Sequence, residues 1–276
     1  KEYAMQLKDR KQENLFDQYP VGTGPYVYKE YRRDRLIRYY RNPDYWKHPV
    51  VLEQLVYDIT PNGTTRVAKM LTKECDVTAL EELRGQLNSN RGDKPKLTLL
   101  PLLITAICQS IPEFPMINAT YDDEEGVVTR HGSVNMGMAA QTDAGLMVPV
   151  IKDAQSQNLW QLAREIGRLA EAARTGKAKS DKMQGGTLTV TSLGPLGGIA
   201  TTPVINRPEV AIIGPNKIVE RPMFVKGADG VERVEKRLLM NISISCDHRV
   251  VDGWDAASFV QALKRLLETP ALILID

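Results

Sequence analysis

Residues 240–253 read Met240-Asn241-Ile242-Ser243-Ile244-Ser245-Cys246-Asp247-His248-Arg249-Val250-Val251-Asp252-Gly253. Met240, Ile242, Ile244 and Cys246 alternate with Asn241, Ser243 and Ser245, the period of a strand with one apolar face. Ala256, Phe259, Val260, Leu263, Leu266 and Leu267 then recur at helical spacing. The stretch therefore predicts a strand, a His-x-x-x-Asp-Gly turn and an amphipathic helix. His248 is one of three histidines in the chain. An imidazole fixed at the junction of two regular elements is placed to act as a general base near neutral pH. Asp252 can fix the local geometry. A lone histidine in such a turn is more often a packing or surface residue, so spacing alone leaves both roles open.

The surrounding elements give the frame. A short helix is expected over Ala79–Asn88, and Arg91–Pro95 is a polar loop. An apolar helix runs from Leu99 to Ile111 and is stopped by Pro112. Val127–Val134 predicts a hairpin with His131 at its exposed turn. Met136, Met138 and Leu146–Val150 predict strands. Leu159, Leu162, Ile166, Leu169 and Ala173 form a helical stripe, with Asn158 and Gln161 as a capping pair and Gly176 as the stop. Strands Thr187–Thr191 and Val210–Ile213 follow. This order predicts an α/β fold, a mixed sheet covered on one face by helices. Gly194-Pro195-Leu196-Gly197-Gly198 lacks a Gly-Lys-Ser/Thr and a following helix, so it predicts a turn rather than a phosphate loop.

The first part of the chain is β-rich. Arg32–Arg41 interleaves arginines with tyrosines, a pattern that can bind single-stranded nucleic acid by charge and stacking. Turn signals at Gly22–Pro25 and Asn42–Asp44 favour an antiparallel strand pair with solvated arginines instead.

A chain of 276 residues can bury one large core or two smaller ones. A net charge of +2 argues against a polyelectrolyte-binding protein, so no nucleic-acid partner is expected. No apolar run is long enough to cross a bilayer, and Lys1–Gln6 lacks the apolar core of a signal peptide. Cys75, Cys108 and Cys246 form no Cys-x-x-Cys, so no zinc site, other metal site or disulfide framework is expected. A reducing compartment fits, bacterial cytoplasm or mitochondrial matrix. Cys246 precedes His248 by two residues. It reads as a thiol nucleophile or, more simply, as a small apolar core residue.

Asp247–Gly253 resembles the active-site signature of the dihydrolipoamide acyltransferases, the core components of 2-oxo acid dehydrogenase complexes. Lys96–Pro101, Glu113–Ala119, Gly145–Val150, Gly185–Gly194 and Pro208–Ile212 resemble further segments of that family in the same register. The resemblance covers about residues 75–276 and is nearest to the branched-chain type. Pro20–Tyr26 and Tyr39–Trp46 resemble the periplasmic peptide-binding proteins of ABC importers, over about residues 1–74. The chain thus reads as a chimera with its seam near Glu74-Cys75.

The first resemblance implies a chloramphenicol-acetyltransferase-like fold and acyl transfer between dihydrolipoamide and coenzyme A as substrates. It implies His248 as the base and a hydroxyl of Thr191 or Ser192 as the oxyanion donor. Thr191 stands where the family usually has serine. Asp252 is implied as an orienting residue. The resemblance further implies a homotrimer in which base and hydroxyl meet across a subunit interface. Trimers would then join in a cubic or icosahedral core that works with lipoyl domains and dehydrogenase subunits. The apolar tail Pro270–Asp276 is expected to dock on a neighbouring subunit. The family's arginine-rich opening segment is replaced by the importer-like piece, and no lipoyl attachment site is expected in this chain. A peptide-binding module and an inactive self-assembling scaffold remain as alternatives.

Overall fold

The structure is a computed structural model and describes residues 24–32, 36–45, 53–58, 71–142, 145–177, 183–192, 197–227 and 229–275. The chain divides into two units, Lys1–Arg66 and Val67–Asp276. In the first, β1 (Tyr26–Arg32), β2 (Leu36–Arg41) and β3 (Gln54–Asp58) form an antiparallel sheet in that order. The arginine–tyrosine stretch is the strand pair that the turn signals predict. Tyr28 and Tyr39 face each other across it with ring centroids 5.9 Å apart. Arg38 pairs with Glu30 at 2.9 Å.

The second unit contains β4 (Leu71–Asp76), α1 (Thr78–Ser89), α2 (Leu99–Ser110), β5 (Ala119–Asp122), β6 (Val127–Arg130), β7 (Met136–Thr142) and β8 (Gly145–Met147). After these come β9 (Val150–Ile151), α3 (Leu159–Arg174), β10 (Leu188–Thr191), β11 (Ala211–Pro215), β12 (Val219–Lys226), β13 (Glu232–Cys246) and α4 (Gly253–Glu268). The main sheet runs β12-β13-β11-β10-β7-β8, with β4 paired to β13 and β9 to β7. Strand β10 is parallel to both its neighbours, and the other pairings are antiparallel. The fold is the expected mixed sheet with helices on one face. β5 and β6 form a separate hairpin.

The two faces of the sheet differ in chemistry. Met136, Met138, Leu188, Val190, Ala211, Ile213, Ile242 and Ile244 enter one core with Ile104 and Ile107 of α2 and Phe259 and Leu263 of α4. Each of these side chains larger than Ala211 contributes roughly 1.5–3 kcal/mol when fully buried. The opposite face carries Gly137, Thr189, Gly214, Ser243 and Ser245. Thr189, Ser243 and Ser245 are fully buried there. The segment after Gly197 crosses this face: Thr201 N–H donates to Ser243 Oγ at 3.4 Å, and Asn241 Nδ2 donates to the Ile199 carbonyl at 2.8 Å. Gly214 allows this approach, since a Cβ there would stand 2.8 Å from Thr201 Oγ1.

Helix α3 follows its local code. Asn158 Oδ1 accepts from the Trp160 and Gln161 amides at 3.0 Å, and Gln161 Oε1 accepts from the Asn158 amide at 2.9 Å. Gly176 ends the helix at φ +66°.

The structure bears on four expectations. The seam at Glu74/Cys75 falls inside β4, which pairs with β13 from Leu71↔Ile244 to Asp76↔Leu239. Cys75 is fully buried, and Lys264 Nζ donates to the Glu74 carbonyl at 2.7 Å. Residues on both sides of the expected seam therefore serve one sheet. The strand read from Met240 begins at Glu232, because its outer half pairs with β12 in an arm whose alternating charges give no apolar face. The β5–β6 turn lies at residues 123–126, so His131 is past the hairpin rather than at its tip. The terminal tail forms a 3-10 helix whose Ile273 packs in its own chain's core, while Leu274 and Ile275 are 46% and 72% exposed.

Candidate active site

Strand β13 ends at Cys246, and the chain turns at once into α4. Backbone bonds close this turn. The Asp247 amide donates to the Val210 carbonyl at 2.7 Å, tying the turn to the start of β11. The Val250 and Val251 amides both donate to the Asp247 carbonyl at 2.9 Å. The buried Val251 side chain anchors the turn in the core. Asp252 is the N-cap of α4, accepting from the Asp255 amide at 2.8 Å. A cap of this kind is worth about 1 kcal/mol and sets the angle at which the helix leaves the turn. His248 is exposed between these fixed points, its Nε2 near Gly253.

The side chains beside His248 form a charged clasp. Arg249 Nε donates to both Asp247 oxygens at 2.9 and 3.1 Å, and its Nη1 reaches Asp123 of the β5–β6 turn at 2.8 Å. Its guanidinium lies 4.3 Å from the centroid of the Tyr121 ring. Arg207 pairs with the same Asp123 at 3.1 Å. The Arg249 bonds hold the Asp247 carboxyl below the usual carboxylate range. Sequence patterns give no sign of Asp123, Tyr121 or Arg207, because their partner lies far along the chain. Arg249 itself stands inside the motif.

Thr191 is the last residue of β10 and is half-buried, and Ser192 follows it at an exposed position. The register separates this pair from His248. Thr189 pairs with Ile212, so Thr191 is level with Gly214, and Gly214 pairs with Ser243. Ser243 is three residues before Cys246, ~10 Å along the strand, and β10 is two strands away, another ~10 Å. Asp252 and His248 are brought together in one turn; Thr191 and Ser192 are at the other end of the same sheet.

Cys246 is a core residue. It is 6% exposed, and burial pushes its thiol up to about 12. The strand stops at Cys246, so the alternation that would align it with His248 does not continue. A thiol held protonated in this way is no nucleophile.

A cleft of about 570 Å³ opens near the same end of the sheet as His248 and includes His131, Lys152, Thr187 and Glu209. His131 Nε2 is 2.9 Å from Thr120 Oγ1. Glu209 is 4% exposed and takes a bond from Asn206 Nδ2 at 3.1 Å. Burial raises its carboxyl pKa, against the bond from Asn206. Among the described residues no group of three or more His, Cys, Asp or Glu is arranged to hold a metal ion, and no helix is long and apolar enough to cross a membrane.

Residues 62–275 match the family described as 2-oxoacid dehydrogenases acyltransferase (catalytic domain). The chain belongs to this family. It is 50% identical over 241 residues to the lipoamide acyltransferase component of the branched-chain alpha-keto acid dehydrogenase complex of Pseudomonas putida, covering 86% of this chain and 56% of the relative. The corresponding component of Pseudomonas aeruginosa is 55% identical over 205 residues, 74% of this chain and 47% of the relative. The chain thus spans about half the length of the curated relatives it matches.

Among solved structures, the dihydrolipoamide acetyltransferase of Azotobacter vinelandii aligns with a TM-score of 0.69 at 36% identity, over 77% of this chain and 88% of that one. That work concerns a serine, a histidine and an asparagine in the catalytic mechanism, the last two four residues apart. The cubic core of a pyruvate dehydrogenase multienzyme complex aligns with a TM-score of 0.68 at 34% identity, over 85% and 98% of the two chains. Residues 2–98 also match bacterial extracellular solute-binding proteins, family 5 Middle.

Proposed function

We propose that this acyltransferase-family chain moves an acyl group between the thiols of dihydrolipoamide and coenzyme A, as the core component of a 2-oxo acid dehydrogenase complex of branched-chain or pyruvate type. His248 takes the proton of the attacking thiol, and the thiolate sulfur bonds to the thioester carbon. The carbonyl becomes an oxyanion that accepts a hydrogen bond from the hydroxyl of Thr191 or Ser192. The old carbon–sulfur bond then breaks, and His248 returns its proton to the departing thiolate. An unperturbed thiol has a pKa of about 8.5, so a base is needed near neutral pH. Asp252 orients the turn from its place as the helix cap. The four-residue spacing of His248 and Asp252 parallels the spacing of histidine and asparagine in the Azotobacter enzyme.

One observation carries this reading: the register that separates Thr191 from His248 within a chain. A base and an oxyanion donor at opposite ends of one sheet work together only when two copies pack end against end. That supports a homotrimer with active sites at its interfaces, assembled into a larger core like the cubic one among the relatives. The exposed Leu274 and Ile275 are the part of the tail left to dock on a neighbour. Lipoyl domains and dehydrogenase subunits are the partners such a core serves. The three cysteines are free, in keeping with a bacterial cytoplasm.

The match over residues 2–98 supports reading the first unit as a fragment of an importer's peptide-binding protein, and the chain as a chimera. The boundary belongs before Val67 rather than at residue 74, since β4 is part of the acyltransferase sheet.

The test is acyl transfer from an acyl-coenzyme A to free dihydrolipoamide, with His248→Ala as the comparison. Loss of the base is expected to lower kcat by about 10²–10⁴ with assembly size unchanged. Equal turnover in both chains would sink the assignment. Well-assembled particles without turnover in either would favour a scaffold.

A further inference from the structure

Backbone bonds fix the turn after β13 at Asp247, Val250 and Val251. Among the described residues, neither His248 nor the Arg249 amide makes a backbone-to-backbone bond. The Arg249 amide belongs to the peptide unit leaving His248, and it donates instead to Asp247 Oδ1 at 3.1 Å. One carboxylate therefore holds the stretch that carries the imidazole.

That carboxylate is aimed by the Arg249 side chain. Nε and Nη2 of the guanidinium meet both Asp247 oxygens as a two-pronged fork, which fixes angle as well as distance. The fork is held in turn by the β5–β6 hairpin. Arg249 Nη1 donates to Asp123 Oδ1 at 2.8 Å, and the guanidinium lies 4.3 Å from the centroid of the Tyr121 ring. Asp123 is a firm post. Its turn is closed by the Glu124 and Glu125 amides, which donate to Asp122 Oδ1 at 2.9 and 3.2 Å, and Arg207 Nε reaches its second oxygen at 3.1 Å. The hairpin also docks on the stretch that anchors the turn. The Tyr121 amide donates to the Pro208 carbonyl at 2.9 Å and the Val210 amide to the Ala119 carbonyl at 3.2 Å, while the Val210 carbonyl accepts from Asp247 at 2.7 Å. Every link from Asp123 to the peptide unit after His248 is thus a direct contact.

We propose that Asp123 is a positioning residue for the acyl transfer: through the Arg249 guanidinium it holds the Asp247 carboxylate, and with it the backbone that aims His248 at the attacking thiol. This rests on the assignment of His248 as the base. Asp123 acts through Arg249 and not on the reacting atoms. A base is sensitive to such placement, since a shift of about 1 Å costs up to roughly 10² in rate.

The test uses the full chain, assayed with an acyl-coenzyme A and free dihydrolipoamide. Asp123→Ala is expected to lower kcat about tenfold with both KM values unchanged. Exposed ion pairs add little stability, so Tm and particle size should stay at parental values. Asp123→Glu restores the charge at an exposed position and is expected to return kcat to within about threefold of the parent. Arg249→Lys keeps the charge but not the fork, and is expected to lose kcat at least as far as Asp123→Ala. In a His248→Ala background Asp123→Ala should cost less than about twofold, because the base to be positioned is gone. Parental kcat in either Asp123→Ala or Arg249→Lys overturns the proposal. An equal loss with and without His248 would mark a merely structural role and overturn it too. If His248→Ala turns over as fast as the parent, the base assignment falls and the proposal with it, an outcome read before any Asp123 variant is made.

Discussion

His248 is exposed in a turn whose other parts are engaged in holding it. Asp247 is clasped by Arg249, Val251 is sunk in the core, and Asp252 caps α4. The motif spacing made His248 and Asp252 legible, since strand, turn and helix are all local patterns. The clasp to Asp123 was not legible, because Arg249 and Asp123 meet only after the β5–β6 hairpin folds against the turn. Glu209 was visible as part of Pro208–Ile212, but its burial was not. Its raised pKa means that the folded chain binds this proton more tightly than the unfolded one. Its contribution to stability is therefore fully present below the ordinary carboxylate pKa and is lost as pH rises through the raised folded value. Glu209→Gln is expected to raise Tm at neutral pH and to give no gain in acid. Melting curves across that range check it; a uniform change at all pH values would refute the linkage.

At the scale of elements, local codes were enough where the chain met its own neighbours. The Asn158–Gln161 capping box and the Gly176 stop define α3 without reference to the rest of the fold. Sequence patterns placed the helix-facing side of the sheet through runs such as Ile242 and Ile244. They did not show the β12–β13 arm. Glu232–Arg237 are exposed or partly exposed in an extended ribbon, and a strand without a buried face has no alternation to read. Nor did they show how tightly β7 and β10 approach. A Cβ at Gly137 would stand 2.5 Å from Thr189 Oγ1 and 3.0 Å from Val148 Cγ1. Thr189 is fully buried and has little room to yield. Gly137→Ala is expected to destabilise the chain by about 1–3 kcal/mol through overpacking. Denaturant unfolding would measure it, and a neutral result would mean that β7 and β10 can separate freely.

For the whole molecule, the two units make unlike predictions. A chain starting at Val67 keeps β4 and the entire acyltransferase sheet, so it is expected to melt cooperatively within a few degrees of the parent. A chain starting at Val77 leaves the β13 edge unpaired over Leu239–Ile244 and removes the buried Cys75, so it is expected to lose cooperative melting or to aggregate. Calorimetry and size-exclusion chromatography of the two shortened chains check both; equal behaviour would return the boundary to residue 74. The sequence by itself determined the α/β class and the strand–turn–helix that presents His248. These follow from short-range periodicity, turn chemistry and motif spacing. Only the tertiary structure decided that β4 crosses the expected seam, that Cys246 is core, and that Thr191 and His248 stand at opposite ends of one sheet. Those depend on strand order and register, which are fixed by packing between residues far apart in the chain.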